Sequence, residues 1–240
     1  MAISQPLSFH DKLLPVQPVL RDQFAGEEGS FYATLYQAIA RFSGLRSPRE
    51  TFTLQQSEQV SLEEMASNPV MLRFLQTLVL LKQPRQILEI GTFIGVSAMS
   101  MASVLPSGGR LVTIEKYDHF AAIANKNFLA NRLADRIQLI QGDAFAELAK
   151  LNGRLFGLIF LDGNKERYHD YFDVLDRLLA PRGLLVVDDV FFHGDVLNRV
   201  PQTEKGAGVQ KLLDKVERLT GYHKAILPVS NGMLLLIKQD

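Results

Sequence analysis

The sequence contains no cysteine among its 240 residues. Disulfide frameworks, thiolate zinc sites and cysteine nucleophiles are therefore excluded, and any metal ion must be held by oxygen or imidazole ligands. The sequence also lacks net charge, because 26 Lys and Arg residues balance 26 Asp and Glu residues. Without a concentrated positive charge, a general nucleic-acid binder is disfavoured.

Long apolar runs are also missing, since no uninterrupted segment approaches the roughly 20 residues of a membrane helix. Residues 1–20 are broken by Pro6, Pro15 and Pro18 and show no basic stretch followed by an apolar run, which excludes a secretory signal there. We therefore expect a soluble, cytoplasmic protein with no membrane partner. The length and the 47% hydrophobic content suit a single sizeable α/β domain.

Within that single domain, residues 1–64 are expected to form an amino-terminal arm with accessory helices. From Leu7 to about Gly29 the chain is polar and marked by prolines, which indicates an extended arm. Hydrophobic residues then recur at helical spacing from Phe31 to Phe42. A second helical stretch is predicted over Val60–Leu81, with Asn68-Pro69 inside it.

After Pro84, short β-rich runs alternate with helical segments, which is typical of a parallel sheet covered on both faces. Asn231-Gly232 between two apolar runs predicts a final hairpin, so the last strand is expected to be antiparallel. Pro181-Arg182-Gly183 is predicted as a turn. The strands are predicted at Gln86–Ile90, Arg110–Glu115, Ile137–Gln141, Leu155–Leu161, Leu184–Asp188, Ala225–Val229 and Met233–Lys238. The helices are predicted at Gly95–Leu105, Phe120–Arg132, Ala144–Leu151, Glu166–Ala180 and Val209–Leu219.

The first of these strands leads into a glycine-containing loop. Ligands in an open α/β sheet bind beyond the carboxyl ends of the strands, so this loop is a candidate binding element. Gly91 and Gly95 let the backbone bend and approach a ligand, while Thr92 and Ser97 offer hydroxyl groups beside a helix amino terminus. The spacing is not Gly-x-Gly-x-x-Gly, so a pyrophosphate cradle is not indicated.

The next two strands also end in ligand-suited residues. Glu115 follows Glu89 by 26 positions, where an acidic residue can accept hydrogen bonds from both hydroxyls of a ribose. Asp143 and Ala144 end the third strand, where a carboxylate and a small residue suit an adenine ring and its exocyclic amine. Together the strand ends predict an adenosine site whose third component is not a phosphate chain.

Three carboxylates follow the fourth and fifth strands. Asp162 ends one strand, and Asp188 and Asp189 end the other. Like charges at adjacent strand ends repel one another strongly unless a cation lies between them. Three oxygen donors suit a hard divalent ion such as Mg²⁺ and leave coordination positions open. The alternative interpretation is an ordinary turn at Asp188-Asp189 and a helix cap at Asp162.

As an ordered set, these strand ends make the sequence similar to the cation-dependent O-methyltransferases that use S-adenosylmethionine, which are related to catechol and caffeoyl-CoA O-methyltransferases. The resemblance covers roughly Met65 to the carboxyl end. It rests on Leu88–Ser97, Glu115, Gly142-Asp143-Ala144, Leu161–Lys165 with Arg167-Tyr168, and Asp188-Asp189 followed by Gly194.

The resemblance implies a Rossmann-like class I methyltransferase fold over residues 65–240 and a homodimer. It also implies that the loop from Glu89 to Ser97, including Gly91, Thr92 and Gly95, binds the methionine part of the donor. Glu115 would bind the ribose, and Asp143 with Ala144 would border the adenine. Asp162, Asp188 and Asp189 would hold Mg²⁺, with Mn²⁺ or Ca²⁺ as alternatives, and Lys165 would accept a proton. Asp189 departs from the family, which commonly has Asn there.

The expected reaction is methyl transfer to a hydroxyl of a small phenolic, catechol-like acceptor, because two vicinal oxygens chelating the ion would fix the direction of the nucleophile. An alternative is a methyltransferase acting on a modified tRNA base or a polyketide-like natural product. A nicotinamide-dependent oxidoreductase is disfavoured by the Gly91/Gly95 spacing. A non-catalytic scaffold that binds the donor is a further alternative.

Overall fold

The computed structural model describes residues 28–58, 60–65 and 67–240. These residues fall into two compact units, one ending at Leu45 and one running from Arg46 to Asp240. The first unit contains helix α1 (Glu28–Phe42). Most of the predicted arm lies outside the described residues, but Gly29 belongs to α1 rather than to an extended segment. The division into residues 1–64 and 65–240 of one domain stays a prediction.

The second unit opens with three helices: α2 (Pro48–Thr51), α3 (Leu62–Met65) and α4 (Pro69–Lys82). The predicted helical stretch over Val60–Leu81 is divided at Asn68-Pro69 into α3 and α4. Asn68 is extended and its side chain accepts a hydrogen bond from the Met71 amide at 3.0 Å, so it caps a new helix. Proline then takes the first helical turn, where no amide donor is needed.

Seven strands form one mixed sheet in the order β3-β2-β1-β4-β5-β7-β6. The first five strands are parallel, and β7 runs antiparallel to both β5 and β6. The predicted antiparallel ending is thereby confirmed. The strands are β1 (Gln86–Ile90), β2 (Arg110–Glu115), β3 (Ile137–Gln141), β4 (Phe156–Leu161), β5 (Leu179–Val187), β6 (Tyr222–Leu227) and β7 (Met233–Lys238).

Helices connect the strands and cover both faces of the sheet. Two short 3-10 turns, Lys165–Arg167 and Phe192–Leu197, follow β4 and β5. Among the described residues, no helix combines the length and the apolar character needed to cross a bilayer. The connecting helices are α5 (Val96–Ser103), α6 (Asp118–Ala130), α7 (Ala144–Lys150), α8 (Tyr168–Leu178) and α9 (Glu204–Arg218).

Alternation along β1 decides which helices each side chain meets. Leu88 and Ile90 belong to the apolar cluster that includes α8 and α9 residues, whereas Ile87 belongs to the cluster built from α4, α5 and α6. Because side chains two positions apart share a face, Glu89 points to the same side as Ile87. A carboxyl group is therefore placed on the face of the sheet that packs against α4, α5 and α6.

The fifth strand begins earlier than predicted. β5 pairs with β4 at Leu179 and again from Leu184, and the register shifts between these two pairs. The turn-type residues 181–183 lie in this irregular part of the strand, where Arg182 has a left-handed backbone (φ +56°). The predicted turn therefore occurs inside a strand, and α8 ends at Leu178 rather than Ala180.

Replacing Asn68 with Ala should lower the free energy of unfolding by about 0.5–2 kcal/mol, because the cap on the Met71 amide is lost. The measurement is urea unfolding of both proteins. Thr77→Ala, at an exposed position inside the same helix, is the matched control and should change stability by less than about 0.5 kcal/mol. Equal losses in the two variants would contradict the capping role.

Candidate active site

Glu89 is a fully buried carboxyl group at the end of β1. Its Oε2 accepts a hydrogen bond from Thr113 Oγ1 at 2.6 Å. Thr113 and Ser97 each lower the pKa of the carboxyl group, but by less than its burial raises it. Its Oε1 is buried without a hydrogen-bond partner among the described residues. Burial raises the pKa of Glu89 from 4.5 to about 8, so the group is mostly protonated at neutral pH.

A chain of hydrogen bonds joins Glu89 to Glu115. The Thr113 hydroxyl bonds to Thr92 Oγ1, and the Thr92 amide donates to Glu115 Oε2 at 3.2 Å. The Phe93 amide donates to the same oxygen at 2.8 Å. The loop after β1 is therefore held at its backbone by the carboxylate that ends β2. Thr113 was not among the predicted site residues, and its only signal in the sequence is a polar residue between Val112 and Ile114.

Asp143 and Ala144 lie where β3 passes into α7. The Asp143 carboxylate accepts hydrogen bonds from the amides of Phe145 at 3.0 Å and Ala146 at 3.4 Å, which caps the helix. Ala144 is buried, whereas Asp143 is exposed. The predicted role of both residues beside an adenine stays a prediction.

Asp162, Asp188 and Asp189 converge at the ends of the adjacent strands β4 and β5. One carboxylate oxygen from each lies within 4.8 Å of the others. The parallel pairing brings them together, since the Asp188 amide donates to Leu161 O at 3.0 Å. Asp189 has a left-handed backbone (φ +56°), which turns the chain as it leaves the strand. Their role as metal ligands stays a prediction.

Lys165 lies against this cluster. Its Nζ is 2.9 Å from Asp162 Oδ1 and 2.9 Å from Asp189 Oδ2. Burial lowers the pKa of Lys165, but the neighbouring Tyr168, Asp162 and Asp189 raise it by more, so the net shift is upward. Lys165 is therefore an ammonium ion in this arrangement and the counter-ion of two carboxylates.

Asp188 differs from the other two aspartates. Its Oδ1 is buried and has no hydrogen-bond partner among the described residues. Burial raises the pKa of Asp188 well above its usual range, and the charges of Asp162 and Asp189 raise it further. Together with one oxygen each from Asp162 and Asp189, this carboxylate oxygen forms the kind of donor set that a hard divalent cation prefers. The three residues therefore fit such an ion.

The sequence indicated Tyr168 as part of a motif, without a role of its own. In the structure its side chain is completely buried. Its hydroxyl donates to Leu161 O at 3.4 Å, and its ring lies 5.7 Å from Lys165 Nζ. The Tyr168 ring therefore lies against Lys165 at the end of β4. Burial raises the pKa of Tyr168 well above 10, so the phenol stays protonated.

The loop after β1 and the aspartate cluster form one continuous site. The Asp162 amide donates to Ile90 O at 2.9 Å. Gly91, at φ +96°, lies so close to the same residue that a Cβ there would be 2.1 Å from the Asp162 carbonyl oxygen. A larger residue at position 91 could not keep this approach.

A comparison with known families matches the O-methyltransferase family model to residues 47–239. The chain belongs to the O-methyltransferase family. The match begins just after the first compact unit and includes each of the predicted site residues. The resemblance in the strand-end motifs is thereby confirmed at the level of the family.

Individual relatives of this family member include two bacterial enzymes named catechol O-methyltransferase. The protein of Niastella koreensis is 36% identical over 143 residues, which are 58% of this chain and 65% of that protein. The Mycobacterium tuberculosis protein is 33% identical over 150 residues, which are 62% of this chain and 68% of that protein. The chain spans slightly less than two thirds of the first of these relatives.

Solved structures of this family share the fold. The O-methyltransferase TomG from Streptomyces achromogenes, involved in tomaymycin synthesis and solved in complex with S-adenosylmethionine, is 26% identical with a TM-score of 0.71. The alignment covers 79% of this chain and 93% of that one. The mixed sheet with its antiparallel ending is therefore a class I methyltransferase fold, as predicted.

Replacing Gly91 with Ala should displace Asp162, because the new methyl group would overlap the Asp162 carbonyl oxygen. Gly108→Ala is the matched control, since Gly108 also has a positive φ (+73°) but open space around it. The control should lose about 1–2 kcal/mol of unfolding free energy from its backbone alone. In urea unfolding, Gly91→Ala should lose clearly more unfolding free energy than this control. Equal losses in the two variants would show that the close approach of Gly91 to Asp162 is unimportant.

Glu89 should make the protein less stable as the pH rises. Between 4.5 and about 8 the native protein holds a proton that the unfolded chain has lost, so the free energy of unfolding falls over this interval. Glu89→Gln cannot lose a proton and should show a flatter profile in urea unfolding between about pH 5 and pH 8. The exposed Glu217→Gln is the control, and a wild-type profile as flat as that of Glu89→Gln would contradict the raised pKa.

Proposed function

We propose that this chain transfers a methyl group from S-adenosylmethionine to a hydroxyl of a catechol-like acceptor and requires a divalent cation. The observation that carries the proposal is the contact between two elements. The loop after β1 touches Asp162 through Gly91, and Asp162 belongs to the three-carboxylate cluster. A donor held by the loop would thus lie beside an ion held by the aspartates.

The donor would be held by residues that the structure already orders. Glu89 Oε1 is buried and has no hydrogen-bond partner within the described part of the chain, which suits the ammonium group of the methionine part. The Ser97 hydroxyl would lie near its carboxylate. Glu115 would accept from the ribose hydroxyls, because a carboxylate has capacity beyond the amides that it already binds. Asp143 and Ala144 would border the adenine.

Asp162, Asp188 and Asp189 would hold the cation, with Mg²⁺ as the expected ion and Mn²⁺ or Ca²⁺ as alternatives. When bound, such an ion lowers the pKa of an oxygen acid by several units, which matters because a phenol of pKa about 10 is hardly ionised at neutral pH. Three carboxylates give the site one more negative charge than the Asn-containing family pattern. This charge favours a hard cation.

We assign to Lys165 Nζ the role of receiving the proton of the acceptor hydroxyl. Its contacts with Asp162 and Asp189 hold it as an ammonium ion while those carboxylates are charged. The role of proton acceptor therefore requires that the carboxylates be neutralised by another charge. General-base catalysis of this kind is typically worth about 10²- to 10⁴-fold in rate.

The acceptor is proposed to be a vicinal dihydroxy aromatic, because two adjacent oxygens can share one ion and thereby fix the nucleophile. The two relatives named catechol O-methyltransferase support this class. The partly buried Phe191 and Phe192 follow the aspartates after Val190 and would contact an aromatic ring. A natural-product acceptor is the second candidate, supported by the likeness to TomG. We also propose a homodimer, which size-exclusion chromatography with light scattering would test.

The deciding experiment is a methyl-transfer assay with S-adenosylmethionine against a panel of catechols, matched monophenols and polyketide-like phenols. Turnover of catechols that EDTA abolishes and Mg²⁺ restores would support the proposal. Turnover that EDTA leaves unchanged would overturn the cation requirement. Turnover of the polyketide-like phenols alone would favour the second candidate.

Asp162→Ala should abolish the cation-dependent turnover, because it removes one ligand and one partner of Lys165. Lys165→Ala should lower turnover by about 10²-fold or more with the fold intact, since it removes the proton acceptor. Asp214→Asn, an exposed carboxylate on α9, is the control and should retain the wild-type rate. Wild-type rates in either site variant would refute its role, provided that circular dichroism shows all proteins folded.

A further inference from the structure

Asn127 is a fully buried polar residue of α6. Its amide group binds two segments that are distant in sequence. The Oδ1 atom accepts from the Gln55 amide at 2.6 Å, while Nδ2 donates to Gln55 O at 3.1 Å and to Ile94 O at 2.9 Å. One side chain therefore joins the accessory segment before α3 to the loop after β1.

Asn131, one helical turn later, repeats half of this pattern. Its Oδ1 accepts from the Thr53 amide at 3.0 Å, and its Nδ2 donates to Thr53 O at 2.8 Å. The two asparagines thus bind alternate residues of the extended segment 53–55, as a neighbouring strand would. Among the described residues, Asn131 has hydrogen bonds to Thr53 and Asn127 but none to the loop after β1, which separates the two roles.

Helix α6 also holds that loop by packing. A Cβ at Gly95 would lie 2.3 Å from the Phe128 ring, so the loop and the helix are in close contact. The Phe93 ring meets the Phe120 ring edge-on at a centroid distance of 4.8 Å. Leu54, between the two anchored residues, packs against the apolar cluster that contains Ile94. The segment and the loop are therefore neighbours on one helix.

We propose that Asn127 is a positioning residue that couples the accessory segment 53–55 to the donor-binding loop. When Asn127 binds both, ordering of the loop favours docking of the segment, and docking of the segment favours the loop conformation that binds the donor. Such coupling is reciprocal, so donor binding should protect the segment. The role in donor binding rests on the proposed function, whereas the mechanical coupling of loop and segment does not.

The coupling is tested first in the protein alone, by amide hydrogen exchange. In Asn127→Ala, exchange should accelerate at Gln55 and also at Thr92, Phe93 and Gly95 of the loop. In the matched variant Asn131→Ala, exchange should accelerate at Thr53 while the loop stays as in the wild type. Loop exchange that is unchanged in Asn127→Ala, or equally changed in both variants, would overturn the proposal.

The effect on the donor site is tested by calorimetric titration with S-adenosylhomocysteine. Loss of about 1.4 kcal/mol of coupling corresponds to about a tenfold rise in Kd, and we expect a rise of this size in Asn127→Ala and less than about twofold in Asn131→Ala. In the wild type, the ligand should slow exchange at Gln55, and in Asn127→Ala it should not. A merely structural asparagine would leave that ligand response in place.

Asn127→Leu covers the case in which the alanine variant does not fold. It keeps the size of the side chain and buries no charge, but it removes the hydrogen bonds to Gln55 and to Ile94 O, so it should uncouple the loop from the segment. If the wild type binds no S-adenosylhomocysteine, the proposed function fails, while the exchange data still decide the coupling. If the wild type binds and the variants respond alike, the coupling fails alone.

Discussion

Three carboxylates are brought together by the pairing of two strands, and the rest of the site depends on how their repulsion is compensated. Backbone hydrogen bonds at the ends of β4 and β5 fix Asp162 and Asp188, so the side chains cannot separate without disrupting the sheet. In the protein alone, the ammonium group of Lys165 binds two of the three. The third, Asp188, has a buried oxygen that no described residue contacts by a hydrogen bond, which is where charge compensation is incomplete.

A second buried carboxyl group, Glu89, follows from the alternation of side chains along β1. Position 89 faces the apolar side of the sheet, so the group is neutralised by a proton rather than by a cation. Carboxyl groups in this site are thus neutralised in two ways: Glu89 by a proton, and Asp162 and Asp189 by the ammonium group of Lys165. The threonine hydroxyls between Glu89 and Glu115 extend this polar path through the sheet without adding charge.

Much of the sheet could be predicted from the sequence, because β-rich runs, helical spacing and turn residues alternate regularly after Pro84. The convergence of Asp162, Asp188 and Asp189 could also be expected, since parallel strands share one carboxyl edge. Several boundaries differ from the prediction. A cap at Asn68 divides the helical stretch over Val60–Leu81, a register shift places Pro181-Arg182-Gly183 within β5, and α9 begins at Glu204 rather than Val209. Asn127 could not be recognised either, because its partners at Gln55 and Ile94 are distant in sequence.

The hairpin between β6 and β7 affects the order in which parts of the site can fold during synthesis. Val190 and Phe191 donate their amides to Gly232 and Asn231, residues made about forty positions later. During synthesis, the amides of Val190 and Phe191 therefore lack these acceptors until residues 231 and 232 have left the ribosome. The turn beside the aspartates is completed only after the loop beside Glu89 has been synthesised.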